Sequence, residues 1–539
     1  MRAINTIIFL CCLSCSTVFA QLPKSQTSLT TDALLDTIQH TAFNFFWNQA
    51  NPANGLIRDR ANVNGTSSAA CSIASVGFGL SAICIGVDHG WVSRTAARDR
   101  VLTTLKTFWY GPQGYSTTGD IGNFGLYYHF LGMNTATRDG DSELSTIDTA
   151  LLLAGIIDAR QYFSSSDSTE TLIRNLADSI YYRMNWNLMR SGNPGIYMGW
   201  KPGTGFAGYG QWIGYNEASI MYLFALGSPT HPVDYTAWQE WTSGYPYGSQ
   251  YGYTYVNFPP LFGHQYSQCW IDYRNIADDY MKNHDLNYFE NSRRATLAQR
   301  AYAIANPGSF IGYSDSLWGF TASDTPYGYK ARGAPPAQND DGTISPTAPV
   351  SSIAFAPEVV IPVIYKMWNT YNSQLWTQYG FRDAFNLSLT PNWWDTDVIG
   401  IDQGPMIIMI ENYRTQRVWN RFMQNPDVQR GLQAAKFTTI SDVQPAKSFP
   451  KYFSLYQNYP NPFNPTTLIT YQLPKKSFVR LEVYNLIGAK IATLVNDTQE
   501  AGVHNAVFAA SAYNLASGIY FYKLSAGNFI AVKKMTYLK

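Results

Sequence analysis

Four carboxylates crowd one short stretch, Arg138-Asp-Gly-Asp-Ser-Glu-Leu-Ser-Thr-Ile-Asp148, just ahead of the apolar run Leu151 to Ile157. Ser145 can cap a helix there, with Asp148 three residues on in the place of a capping-box glutamate. The helix that follows is apolar nearly all round, which marks a buried one. Carboxylates at the mouth of a buried helix are costly unless they are paired or used. Capping and dipole compensation account for any single one of Asp139, Asp141, Glu143 and Asp148. The cluster as a whole, beside the aromatic stretches below, points to a site that cleaves sugars.

The second stretch with chemical potential is Gly210-Gln-Trp-Ile-Gly-Tyr-Asn-Glu-Ala-Ser-Ile220. Glu217 sits between an aromatic loop and an apolar helix. Such surroundings disfavour the charged carboxylate and raise its pKa, as a general acid near neutral pH requires. Glycoside hydrolysis needs two carboxyl groups across the scissile bond, one to protonate the leaving oxygen and one to activate water or attack carbon. Glu217 and a member of the 139–148 cluster can form that pair only if the fold joins them.

The elements that must do this are mostly helices. Helical spacing runs over 28–50 (capped by Thr31 or Asp32), 69–85, 93–110, 169–185, 218–226, 293–305, 351–371 with Pro357 and Pro362 interrupting, and 404–422. Residues 124–131 suggest a short strand or hairpin. Helices of about a dozen residues separated by long Gly-, Pro- and aromatic-rich loops predict an all-α toroid of paired helices with its site at one rim. No internal repeat marks a solenoid. After Leu432 the pattern changes. A polar linker precedes several period-two runs, such as 479–484 and 518–524, which predict a small antiparallel β-sandwich.

Composition narrows the function. Of 539 residues only 14% are charged and the net charge is +1, which argues against a nucleic-acid binder. Fifteen Trp and 38 Tyr supply flat faces that can stack on sugar C–H surfaces. Residues 1–20 read as a signal peptide: Arg2, an apolar core from Ile7 to Leu13, and Val18-Phe-Ala20 as a cleavage site. No later stretch is long and apolar enough to span a membrane. Cys71, Cys84 and Cys269 remain in the mature chain. The first two could pair in an oxidising compartment or stay buried thiols. No Cys/His spacing suggests zinc, and no metal or organic cofactor is expected.

Several stretches carry a resemblance. Ser142-Glu-Leu-Ser-Thr-Ile-Asp-Thr-Ala-Leu151, Gly214-Tyr-Asn-Glu-Ala218, Leu317-Trp-Gly-Phe-Thr-Ala-Ser-Asp324, Gly333-Ala-Pro-Pro336, Asp341-Gly-Thr-Ile-Ser-Pro346, Phe355-Ala-Pro-Glu358 and Gly400-Ile-Asp-Gln-Gly-Pro405 resemble the glycoamylase-like domain of glycoside hydrolase family 144. The resemblance implies an (α/α)6 barrel over 28–434 that hydrolyses β-1,2-glucan with inversion, most simply as an endo-glucanase. It puts Glu217 on the family's Tyr-Asn-Glu motif and Asp141, Glu143 and Asp148 in the family's acidic segment, where the base stays open among the three. Trp212, Tyr215, Trp318, Tyr327, Tyr329, Trp393 and Trp394 become candidate stacking residues. Asp324, Glu358, Asp402, Gln403 and Glu411 become candidate hydroxyl partners. Another glucan linkage, or a catalytically silent surface glycan-binding protein, are the alternative readings.

In the tail, Tyr456-Gln-Asn-Tyr-Pro-Asn-Pro-Phe-Asn-Pro465, Val483-Tyr-Asn-Leu-Ile-Gly-Ala-Lys490 and Leu515-Ala-Ser-Gly-Ile-Tyr-Phe-Tyr-Lys523 resemble the type A sorting domain of the type IX secretion system. This implies a linker at 435–452 and an Ig-like sorting domain at 453–539 that takes the chain through the periplasm to the cell surface or medium. A carbohydrate-binding sandwich is the alternative for this part.

Overall fold

A computed structural model describes residues 29–65, 67–440, 453–458 and 460–539. The signal-peptide assignment and most of the linker lie outside the described residues.

One large apolar core runs from Leu34 to Phe437, with helices as its largest part and buried loop and short-strand residues filling the rest. The first helix, Thr31–Asn48, is capped by Thr30, whose hydroxyl accepts the Ala33 N–H at 3.2 Å. The cap therefore lies one residue before the expected Thr31, and Asp32 sits in the first turn. Residues 69–85 divide. Ala70–Ser72 is a strand paired with Phe130–Gly132, and the helix proper, Ile73–Asp88, starts at the Ser72 cap. The expected helix at 351–371 starts later, because Pro357 opens Pro357–Leu375 at its first position. The run at 404–422 is two helices, Gly400–Thr415 and Arg417–Phe422, broken where Gln416 turns left-handed (φ 59°).

The central helix, Thr146–Tyr162, is buried over most of its length and is capped by Ser145 as its sequence predicts. It crosses Ile73–Asp88 backbone to backbone. A Cβ on Gly155 would stand 1.9 Å from the Gly77 carbonyl oxygen, and one on Gly77 would stand 2.1 Å from that of Leu151. No side chain fits either position, so both glycines are required by close approach.

A second core, from Leu455 to Tyr537, belongs to the strand-rich tail. Two antiparallel sheets enclose it. One joins Ser454–Leu455, Thr466–Leu473 and Gly502–Ala509. The other runs Lys490–Gln499, Ser477–Tyr484, Gly518–Ala526 and Phe529–Tyr537. The first core reaches past the expected boundary at 434. Ala435 and Phe437 are buried in it, and Thr438–Thr439 pairs with Ile276–Ala277.

The expectation left open for the cysteines resolves to buried free thiols at Cys71, Cys84 and Cys269. Among the described residues no helix is long and apolar enough to cross a membrane.

Candidate active site

Glu217 stands directly before the helix Ser219–Gly227, and its carbonyl accepts the Ser267 hydroxyl at 2.6 Å. Burial is the main cause that lifts its carboxyl to about 7. Its backbone bond opposes the rise and the charge of Asp148 adds to it. The fold thus brings Asp148 near Glu217 although 69 positions separate them in sequence.

Asp148 occupies the first turn of the central helix. Its amide donates to the Ser145 hydroxyl at 3.2 Å, and that hydroxyl donates back to Asp148 Oδ2 at 2.5 Å. A capping-box glutamate would reach the cap's backbone N–H instead. On its other side lies His129, which joins two acids. Its Nδ1 is 3.0 Å from Glu143 Oε1 and its Nε2 is 3.6 Å from Asp148 Oδ1. Burial works against the imidazolium, but Asp148 and Glu143 outweigh it and push His129 up to about 9. Burial would likewise raise Glu143, yet the bond from His129 prevails and its carboxyl is lowered.

Asp141, the third candidate base, points elsewhere. Its side chain is 83% exposed and pairs with Arg138 at 3.1 Å and Lys201 at 2.5 Å. Those bonds explain it as a loop clamp on the surface.

A second acidic group lines the same region. Arg60 binds Asp59, Asp324 and Asp397 at 2.9, 2.7 and 3.2 Å. Behind it Asp383 accepts the Asp324 amide at 2.6 Å and lies against Asp402. Burial raises the carboxyl pKa of this tightly coupled pair. Burial and the Asp383 charge push Asp395 up to about 8. Burial raises the Tyr266 phenol well above its ordinary value, and the charges of Asp402 and Glu217 both add to the rise.

The predicted binding residues separate into three kinds. Asp324 and Asp402 join the acidic group. Trp212 is half-buried beside the central helix, where its indole N–H donates to Thr146 at 3.0 Å. Tyr327 is exposed, and Tyr329 combines a partly open ring with a phenol in the field of Asp402 and Asp383. Trp393 is half-buried in a strand paired with Phe385–Asn386. The rest are packed or paired within the protein. Trp318 is wholly buried, and Tyr215 packs among Trp241, Tyr245, His264 and Tyr288. Trp394 stacks on Phe385 at 5.2 Å. Gln403 is buried and donates to the Phe381 carbonyl at 3.0 Å. Glu358 begins the Pro357–Leu375 helix and pairs with Arg293 at 2.5 Å. Glu411 lies near the far end of the helix that carries Asp402, bonded to His89 at 2.8 Å and Gln39 at 3.1 Å, and is held down at about 2.

Sequence reasoning passed over His129, Arg60, Asp383 and Asp395. The one available signal was for His129, a histidine in an aromatic stretch 14 residues before Glu143.

Comparison with known proteins places this arrangement. A crystal structure from Bacteroides uniformis described as a "putative glucoamylase" is 33% identical and covers 77% of this chain and 99% of its own, with a TM-score of 0.70. The chain belongs to the glycoamylase-like family of glycoside hydrolases. The glycoamylase family model itself matches residues 209–426, which include Glu217, Asp324, Asp383 and Asp402. The structure of an endo-β-1,2-glucanase from Chitinophaga pinensis, in complex with sophorotriose and glucose, is 29% identical over 76% of this chain and 99% of that one, with a TM-score of 0.70. A curated relative from Parabacteroides distasonis, an exo β-1,2-glucooligosaccharide sophorohydrolase acting at the non-reducing end, is 31% identical over 434 residues. That match takes in 75% of this glycoamylase-like chain, which spans 58% of the relative's length. Residues 457–537 match the secretion system C-terminal sorting domain. The tail is therefore a type IX sorting domain, which marks the chain for secretion or the cell surface.

Proposed function

We propose that the chain is an exported hydrolase of β-1,2-glucan in which Glu217 is the general acid. The carrying observation is a carboxyl raised to about 7 with a second carboxylate, Asp148, close enough to contribute to that rise. A group that holds its proton near neutrality can deliver it to a leaving glycosidic oxygen. We assign the base to the Glu143–Asp148 pair. Asp148 is favoured because its charge registers at Glu217, while the bond from His129 makes Glu143 the poorer proton acceptor. Water activated there attacks the face opposite the acid and inverts the anomeric carbon.

Two relatives with different printed activities share the β-1,2 linkage, which supports that linkage here. Endo cleavage is our reading of the mode. Incubation with a panel of linear glucans tests both points. Reducing ends released from β-1,2-glucan alone, as products of mixed length, are expected. Sophorose as the single product would make the enzyme exo-acting, release from another glucan would reassign the linkage, and no release from any would leave a glycan-binding protein.

We further read the helices as an (α/α)6 toroid over 28–440, followed by a sorting β-sandwich. Ile73–Asp88, Thr146–Tyr162, Ser219–Gly227, Phe262–Gln265, Thr347–Val350 and Gly400–Thr415 would form the inner ring. Their almost unbroken burial supports this, as does the return of the last against the first.

A further inference from the structure

We propose that Asp324, Asp383 and Asp395 bind a hard divalent cation of the Ca²⁺ class at the edge of the cleft. The three offer ligand oxygens that all lie within 4.8 Å of one another, and all three side chains are buried. Two oxygens on opposite sides of one Ca²⁺ stand about 4.8 Å apart, twice the usual bond of about 2.4 Å, so one ion can reach all three.

An unpartnered atom points the same way. Asp395 Oδ2 has no hydrogen-bond partner, though its residue is only 5% exposed. Asp383 has the carboxyl of Asp402 beside it, bonded to its own, so no cation neutralises that pair. The opposite oxygens are already in use. Asp383 Oδ2 accepts the Asp324 amide, and Asp395 Oδ1 accepts the amides of Thr396 and Asp397 at 2.6 and 3.2 Å. Each carboxylate is thus fixed by the backbone through one oxygen, and Asp395 has its other oxygen left over.

The local cations do not meet that need. Arg60 is divided among Asp59, Asp324 and Asp397. Arg332 and Arg382 are near, but they donate to the main-chain carbonyls of Asp324 and Asp395, at 2.9 and 2.7 Å. Buried charges without a partner are expensive, so these acids must hold protons or a metal. All-oxygen donors select Ca²⁺ or Mg²⁺ over transition metals, and Mg²⁺ demands tighter octahedral geometry than three residues on separate loops provide. The ion would tie the loop after Phe320 to the two hairpin segments that carry Asp383 and Asp395. The inference does not depend on what the cleft cleaves.

The test uses the full chain stripped with EDTA and titrated with Ca²⁺ alone. One Ca²⁺ per chain is expected by calorimetry, with a rise in Tm of about 5 °C or more at saturation and a smaller rise with Mg²⁺. Asp395→Asn should weaken Ca²⁺ binding by at least about 10-fold, because affinity follows ligand charge. Should that variant fail to fold, sensitised Tb³⁺ luminescence of the wild type, quenched by Ca²⁺ at one equivalent, serves in its place. No binding at millimolar Ca²⁺ with an unchanged Tm overturns the proposal and leaves shared protons as the way these acids are accommodated.

Discussion

His129 Nδ1 lies 3.0 Å from Glu143 Oε1 and makes that carboxylate half of an ion pair at the cleft wall. Its other nitrogen faces Asp148, so one imidazolium orients both candidate bases. The pair gives a stability signature. The folded pKa of about 9 exceeds the reference 6.5, so the contribution is complete below about 6.5 and is lost as pH rises through about 9. The Tm difference between wild type and His129→Gln should be largest near the acid end of that window and shrink across it. A difference independent of pH would mean that the histidine acts by packing alone.

Glu217→Gln keeps the shape and removes the transferable proton. We expect kcat to fall about 10²–10⁴-fold with an unchanged fold. In the wild type, kcat/KM should decline above the acid's pKa of about 7, because protonated Glu217 is then depleted about tenfold per pH unit. An intact variant with normal turnover removes Glu217 from the mechanism.

Among the acids of the 139–148 segment the responses should differ. Asp148→Asn should cost about 10²-fold or more in kcat, as loss of a base does. Asp141→Asn should stay within about 2-fold, since it removes only exposed ion pairs. If Asp148→Asn and Glu143→Gln both remain active, the base lies elsewhere, with Asp324 or Asp402 next in line. Proton NMR of fresh product should show the α-anomer first, and early β-anomer would exclude inversion.

At the helix crossing, Gly155→Ala forces a methyl onto the Gly77 carbonyl. Overpacking of this kind costs roughly 1–3 kcal/mol, and here backbone rather than a flexible side chain must yield. Urea unfolding should register the loss as a lower midpoint. A midpoint equal to wild type would show that the helices slide apart without penalty.

A chain ending after Ile440 keeps the whole of the first core and removes the sorting tail. It should fold and retain kcat and KM on soluble glucan, while in a host with type IX secretion it should accumulate in the periplasm. Full-yield release of that truncated form into the medium would contradict the sorting role.

Much of this was legible in the residues. The apolar run after Asp148 gave the buried central helix, and the Ser145 cap was found where its pattern puts it. Glu217 stood out because an acid amid aromatics has few structural reasons to be there. The exposure of Asp141 was hidden, since a carboxylate in an acidic run looks the same whether it is buried or paired with a loop lysine. The burial of Trp318, Tyr215 and Glu411 was hidden for a related reason, as aromatic and acidic residue types do not say which way a side chain points. Asp383 and Asp395 could not be seen at all. Their meaning comes from meeting Asp324, 59 residues before Asp383 in the chain, and no local spacing encodes that.

The seam between the two ends of the helical body sets a timetable. Arg60–Asn62 pairs with Asp397–Ile399, and the Gly400 amide donates to the Asp59 carbonyl at 2.8 Å. The Arg60–Asp397 contact spans 337 positions. Contacts so distant in sequence form late. A chain emerging from an export channel carries His129, Asp148 and Glu217 long before the opposite wall exists. Hydrolytic competence would then arrive in one step, with delivery of the last tenth of the helical body. A product interrupted before Asp397 should be inert, however many of its helices have formed.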